Sequence, residues 1–324
     1  MIVEAFKLKE QRQVETGVFP LALAPVSEQA TEEQFYNWIA ENKEHLREKL
    51  VQHGAILFRG FPIDNPDAFE KMLDVAEFEN MPYVGGAAPR NNVTQRRVLT
   101  ANESPPSEPI PFHHEMAQVP KPPAYVFFYC DLPSDTGGET AICHSNAVYQ
   151  RFHKIDPDFC AQVEELGVRY VRVMPPVDDP TSAIGRSWVS TFQTEDRHEA
   201  EERMKSLGTT WEWHENGDLR TETATVPAIR VEPRTGLKTF FNSMVAAYTG
   251  WVDSRNDPTK AVCLGDGTAV NGDALTKTAD AMKEEAVAFQ WQKGDVLWID
   301  NALVLHSRRP FTGERRILAS IAKA

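Results

Sequence analysis

Apolar residues recur at near-helical spacing between positions 31 and 51: Phe35, Trp38, Ile39, Leu46 and Leu50. Thr31 is placed to cap the start and Gly54 follows the end, so the pattern predicts an amphipathic helix over 31–51. The run AILFRGF at 55–61 then reads as a strand. Beyond a Gly/Pro-rich stretch at 85–111, runs rich in β-branched and aromatic residues predict strands at 124–132, 168–174, 238–244, 295–300 and 316–322. Helical patterns occupy 145–166, 194–206 and 273–285. Strands outnumber helices in the second half and do not alternate regularly with them. The expected class is therefore mostly β with peripheral helices, a sandwich or jelly roll rather than a doubly wound sheet.

No internal repeat or linker-like tract divides the chain, so residues 1–324 read as a single domain. Two long segments, 85–112 and 175–235, lack clear periodicity and are expected to be lids or inserts. The composition, 41% hydrophobic and 25% charged, is that of an ordinary globular protein. A net charge of −13 disfavours nucleic acid or an anionic membrane as the partner and leaves a small-molecule substrate as the default. The four cysteines form no CxxC pair, Glu4 and Glu10 interrupt the start where a signal peptide needs apolar residues, and no run is long enough to span a bilayer. These features predict a cytoplasmic protein. Oligomeric state is not encoded in any of them.

The candidate chemistry begins at PFHHEM, 111–116, where His113 and Glu115 stand two positions apart and share one face of an extended backbone. His114 pairs at that spacing with Met116, which favours His113 as the ligand. A third donor, His306, ends the apolar run beginning at Asp300. Two histidines and one carboxylate on one face of Fe(II) leave three positions open for a co-substrate and O₂. With nine His and 47 acidic residues, about one H-x-(D/E) match arises by chance, so the spacing alone is weak. It gains weight from GGET at 137–140 and from Arg315-Arg316. A guanidinium on the strand after the last ligand can take the distal carboxylate of an oxoacid, and the Thr140 hydroxyl can join it.

Longer strings extend the argument. YVGGAAPR (83–90), TANESPP (100–106), PFHHEMAQV (111–119), NSMVAAYTGW (242–251) and VLHSRRPF (304–311) resemble the clavaminate synthase-like subgroup of the taurine dioxygenase (TauD/TfdA) family. The resemblance covers most of the chain. It implies a double-stranded β-helix (jelly roll), Fe(II) as cofactor, and 2-oxoglutarate and O₂ as co-substrates. By the same resemblance His113, Glu115 and His306 are the metal ligands, and Thr140 and Arg316 bind 2-oxoglutarate. Arg316 is preferred to Arg315 because it precedes the Ile/Leu pair. A second inward Arg four residues on is replaced by Ser320, which disfavours a sulfonate substrate. Glu115 stands where related halogenases have a small residue, which implies hydroxylation rather than halogenation.

Around this site Asn102, Glu103, Asn242, Arg308 and Arg309 are candidate substrate contacts. The remaining histidines, and Trp188, Trp251 and Trp291, are expected to serve packing or the surface. The predicted activity is an Fe(II)/2-oxoglutarate-dependent dioxygenase acting on a small amino-acid-like or carboxylic substrate. The rival reading is a jelly-roll module that binds metal without oxidising anything. A zinc hydrolase ranks below both because no general base is evident.

Overall fold

The computed structural model describes residues 1–27, 29–84, 86, 90–101 and 104–324. Its first long helix runs Glu32–His53, opened by a capping box in which Thr31 and Gln34 satisfy each other's backbone N–H groups. Gly54, at φ 67°, ends it. Phe35, Ile39, Leu46 and Leu50 are fully buried along its inner stripe; burying each such side chain favours folding by about 1.5–3 kcal/mol.

Two of the sheets frame the candidate site. The larger has seven strands in the order Val3–Ala5, Leu21–Pro25, Ala55–Phe58, Val296–Asp300, Tyr125–Leu132, Arg316–Ala322 and Leu99–Thr100. Its pairs are antiparallel except for the second with the third. The smaller sheet places Val304–Arg308 between Ile142–His144 and Ile110–His113. Strand alternation sorts the core into layers. Val126, Phe128, Leu297, Ile299, Ile317 and Ala319 of the large sheet pack with Ile142 and Val304 of the small one. The intervening residues Phe127, Tyr129, Trp298 and Leu318 pack on the opposite face with helices Glu32–His53 and Pro66–Val75. A third cluster joins Phe112, Cys143 and Leu305 of the small sheet to the helices Ser145–Ile155, Pro157–Leu166, Met244–Gly250 and Gly272–Glu285.

Several local expectations are revised. The helical stretch 145–166 is two helices, broken where Asp156 caps a new one that begins at Pro157. The strand expected over 238–244 is only Lys238–Thr239. Asn242 Oδ1 then accepts the Met244 N–H at 2.9 Å and the chain turns into the helix Met244–Gly250. Segment 175–235 is no bare loop: it holds the helices Trp188–Phe192 and Arg197–Ser206 and a hairpin of Thr210–Trp213 with Leu219–Glu222. Among the described residues no helix is long and apolar enough to cross a membrane.

Candidate metal centre and adjoining cavity

The small sheet brings the predicted ligands together through its register. His306 is paired directly with His113 across two antiparallel strands, with ring centroids 4.3 Å apart. The His306 ring also lies 5.2 Å from Phe128, which places it between the two sheets. Glu115 is not on the strand, which ends at His113. It sits in the following turn, where Asn301 holds it by both ends. Asn301 Oδ1 accepts the Glu115 N–H at 2.9 Å, and its Nδ2 donates to the Glu115 carbonyl at 3.0 Å. Met116 follows at φ 53°. Donor atoms of His113, Glu115 and His306 all lie within 4.8 Å of one another.

These residues fit a divalent metal. Given a donor role, His113 Nδ1–H donates to the Pro111 carbonyl at 2.9 Å, leaving Nε2 as the lone-pair donor. Burial, reinforced by neighbouring His306, lowers the His113 pKa to about 4, so the ring is neutral and able to ligate. Burial would raise the pKa of Glu115, but Arg90, His306 and His113 outweigh it and hold the carboxyl well below its usual range. His114 is turned away: its Nδ1 contacts the Asn301 carbonyl at 2.6 Å and its Nε2 contacts Ser145 Oγ at 2.9 Å. That orientation agrees with choosing His113 over His114.

The cluster opens on a cavity of about 110 Å³, whose wall includes Thr140, Arg315, Arg308 and Trp251. Thr140 is buried and receives a hydrogen bond from Trp291 Nε1 at 3.3 Å. Arg315 reaches this wall because Gly138 has no side chain: a Cβ there would stand 2.9 Å from Arg315 Cδ. Arg315 Nε donates to the Gly138 carbonyl at 2.9 Å. Burial and the adjacent charge of Arg308 lower its pKa to about 10, and among the described residues no carboxylate pairs with it. A guanidinium so placed favours an anionic visitor.

The structure places the two arginines on different sides, Arg315 in the cavity wall and Arg316 outside it. Arg316 lies on the other side of the strand; its side chain is 63% exposed and pairs with Asp131. The odd positions Ile317, Ala319 and Ile321 face the layer between the sheets, whereas Leu318 and Ala322 face the helices. Arg315 continues the inward set. Ser320 also points away from the layer between the sheets but is fully buried, and Arg97 Nε donates to its hydroxyl at 3.3 Å.

The substrate candidates divide. Arg308 lines the cavity, but its guanidinium is committed to the carbonyls of Ser104, Pro105 and Glu108. Arg309 is exposed and outside the wall. Asn242 is buried and engaged with backbone groups: its Oδ1 accepts the Met244 N–H and its Nδ2 donates to the Ala228 carbonyl at 3.0 Å. Asn102 and Glu103 lie outside the described residues. Trp251, assigned to packing, is part of the cavity wall. Arg90 was not singled out from the sequence, yet its Nη2 donates to Glu115 Oε2 at 2.8 Å; its only sequence signal is membership of the YVGGAAPR string.

A buried two-histidine, one-carboxylate cluster opening on a cavity between two β-sheets is the donor set of a non-haem iron oxygenase. The chain belongs to the TauD/TfdA family of dioxygenases: residues 18–321 match the family described as "Taurine catabolism dioxygenase TauD, TfdA family". It is an oxidoreductase of the Fe(II)- and 2-oxoglutarate-dependent class. A clavaminate synthase-like protein of Arabidopsis thaliana is 47% identical over 321 residues, covering 98% of this chain and 97% of its own. Among solved structures, a putative alpha-ketoglutarate-dependent taurine dioxygenase from Burkholderia xenovorans superposes with a TM-score of 0.55 at 15% identity, covering 99% of this chain and 92% of its own. PvcB of Pseudomonas aeruginosa gives 0.55 at 17% identity over 98% and 93%. PvcB is described as an Fe, alpha-ketoglutarate dependent oxygenase from an isonitrile synthetic pathway.

Proposed function

We propose that the protein hydroxylates a C–H bond of a small carboxylic or amino-acid-like substrate, with His113, Glu115 and His306 holding Fe(II) and with Arg315 and Thr140 receiving the distal carboxylate of 2-oxoglutarate. The observation that carries this reading is the shared wall: the three ligands, Arg315 and Thr140 line one cavity. The two sheets are read as the halves of a double-stranded β-helix. The four cysteines are free thiols, three of them buried, which suits a reducing compartment such as the cytoplasm.

Bound iron and 2-oxoglutarate would supply oxidation of the C–H bond by O₂, with release of succinate and CO₂. The chain's own residues supply geometry. The Pro111 carbonyl fixes the His113 tautomer, and Asn301 fixes the Glu115 backbone. Phe128, Ile184, Met116 and Trp251 make the wall predominantly apolar, which limits water at the site. Arg315 orients a dicarboxylate through charge and a planar fork.

The test is anaerobic titration of the metal-free protein with Fe(II) and 2-oxoglutarate, followed by admission of O₂ and measurement of succinate. A weak visible charge-transfer band requiring both components, lost in His113→Ala and Glu115→Ala, is the expected result. Iron binding with neither band nor succinate would overturn the proposal in favour of a non-oxidising metal-binding protein.

A further inference from the structure

We propose that Arg90 anchors a carboxylate of the primary substrate, so that the substrate class is an anionic small molecule held beside the metal; this rests on the oxygenase reading above. The cavity wall contains three guanidinium groups, Arg90, Arg308 and Arg315, and one carboxylate, Glu115. A divalent metal would add positive charge and claim Glu115, while the two charges of 2-oxoglutarate would be met by the metal and by Arg315. Arg308 already donates from Nη1 and Nη2 to backbone carbonyls. Arg90 is then a buried cation that shares Glu115, its one carboxylate partner among the described residues, with the metal, a state that added negative charge from a ligand would relieve.

The geometry separates this cation from the 2-oxoglutarate end. Arg90 pairs with Glu115 at 2.8 Å and lies over the Tyr83 ring, whereas Arg315 donates to the Gly138 carbonyl at 2.9 Å and lies over the Phe311 ring. The Arg90 side chain is 5% exposed; its Nη2 donates to the Glu115 carboxylate, and the guanidinium also interacts with Tyr83. Its Nε and Nη1 reach no partner among the described residues. Buried donors left in this state call for an explanation, and a bound acceptor is one. The group is also held in place. Its guanidinium lies over the Tyr83 ring at 4.3 Å, and Arg186 lies over the same ring at 4.8 Å. Arg186 is itself fixed to the Gly86 and Ser190 carbonyls at 2.8 and 2.7 Å. A rigid, stacked fork beside the ligands matches a planar carboxylate better than a neutral or cationic group.

The experiment uses protein loaded anaerobically with saturating Fe(II) and 2-oxoglutarate. Wild type, Arg90→Gln and Arg90→Lys are titrated with matched acid and amide probes, butyrate against butyramide and norvaline against norvalinamide. Affinity is read by equilibrium dialysis and by perturbation of the charge-transfer band. Wild type should favour the acids by about tenfold or more. Arg90→Gln should erase that preference while changing 2-oxoglutarate affinity by less than about twofold, and Arg90→Lys should restore part of it by returning the charge without the fork. Equal affinity for acid and amide in wild type, including no measurable binding of either, would overturn the assignment. So would an undiminished preference in Arg90→Gln. If wild type forms no band, the oxygenase reading fails first and the anchor falls with it.

Discussion

Asn301 clasps Glu115 from the neighbouring strand connection, accepting its N–H at 2.9 Å and donating to its carbonyl at 3.0 Å, with a second donation to the Pro123 carbonyl at 2.8 Å. Glu115 lies beyond the end of its strand, so its backbone has no ladder to hold it and the amide side chain takes that role. Asn301→Ala leaves one N–H and two carbonyls buried without partners. Losses of about 1–3 kcal/mol per group, partly relieved by rearrangement, predict a fall in unfolding free energy of about 2–4 kcal/mol. Metal affinity should fall about 10- to 100-fold, as for other residues that orient a ligand. Denaturant melts and Fe(II) titration measure the two effects. Wild-type metal affinity in Asn301→Ala would show that Glu115 needs no clasp.

The two consecutive arginines allow a comparison within one strand. Arg315→Ala removes a cavity-wall guanidinium and should weaken 2-oxoglutarate binding about 10- to 100-fold, the range for charge-assisted hydrogen bonds. Arg316→Ala removes an ion pair whose arginine is 63% exposed, and such pairs contribute about 0–1 kcal/mol to stability. Its 2-oxoglutarate affinity should stay within about twofold of wild type. Dialysis with labelled 2-oxoglutarate in the presence of Fe(II) decides it; the reverse ranking would return the role to Arg316.

Why this pair misleads at the level of sequence is physical. Alternation identifies the inward face of a strand only when the other face is wet. Residues 317–322 are buried on both sides, between the sheets and beneath the helices, so RILASIA carries no polar stripe to set the register. The helix over Glu32–His53 was readable for the opposite reason, since a capping box and one apolar stripe agree. The strand Val168–Met174 alternates between buried and half-buried residues and was found with its exact limits. KTFFNSM has strand-like residues, yet Asn242 Oδ1 accepts the Met244 N–H just before the helix that starts at Met244, a local hydrogen bond prevailing over propensity. The candidate ligands His113, Glu115 and His306, which lie together, are indicated by spacing and resemblance. Arg90 and Asn301 act on Glu115 from distant parts of the chain, and such pairings leave no periodic trace.

Buried histidines set an acid limit on stability. His144 is 2% exposed, packs edge-on against Phe19, and neither ring nitrogen has a partner among the described residues. Burial lowers its pKa from 6.5 to about 4. Because the folded value lies below the unfolded one, the unfolded chain binds the proton more readily. The folded state therefore loses stability as pH falls from about 6.5 toward 4, by an amount on the order of 3 kcal/mol at most. His113 and His114, lowered in the same direction by burial, steepen the same limb in metal-free protein. His144→Phe should flatten the fall between pH 7 and pH 4.5 without removing it. Urea unfolding across that range tests this, and an identical slope in the variant would exclude His144 as a contributor.

Arg308 follows the last ligand by two positions and ties down the segment that borders the cavity. Its Nη1 donates to the Ser104 carbonyl at 2.9 Å, and its Nη2 donates to the carbonyls of Pro105 and Glu108 at 2.8 and 2.6 Å. One planar fork thus meets three backbone acceptors, while burial lowers its pKa to about 10. Lysine keeps the charge but carries one nitrogen on a flexible stem, which cannot span the same carbonyls in one geometry. Arg308→Lys should therefore raise amide exchange across 104–109 by about tenfold or more, corresponding to loss of roughly one to two hydrogen bonds. Affinity for Fe(II) should change little, because no ligand depends on those carbonyls. Hydrogen exchange read by mass spectrometry distinguishes the outcomes: unchanged protection over 104–109 would mean that the segment is held by its own packing, and Arg308 would then be free to serve the cavity through its charge alone.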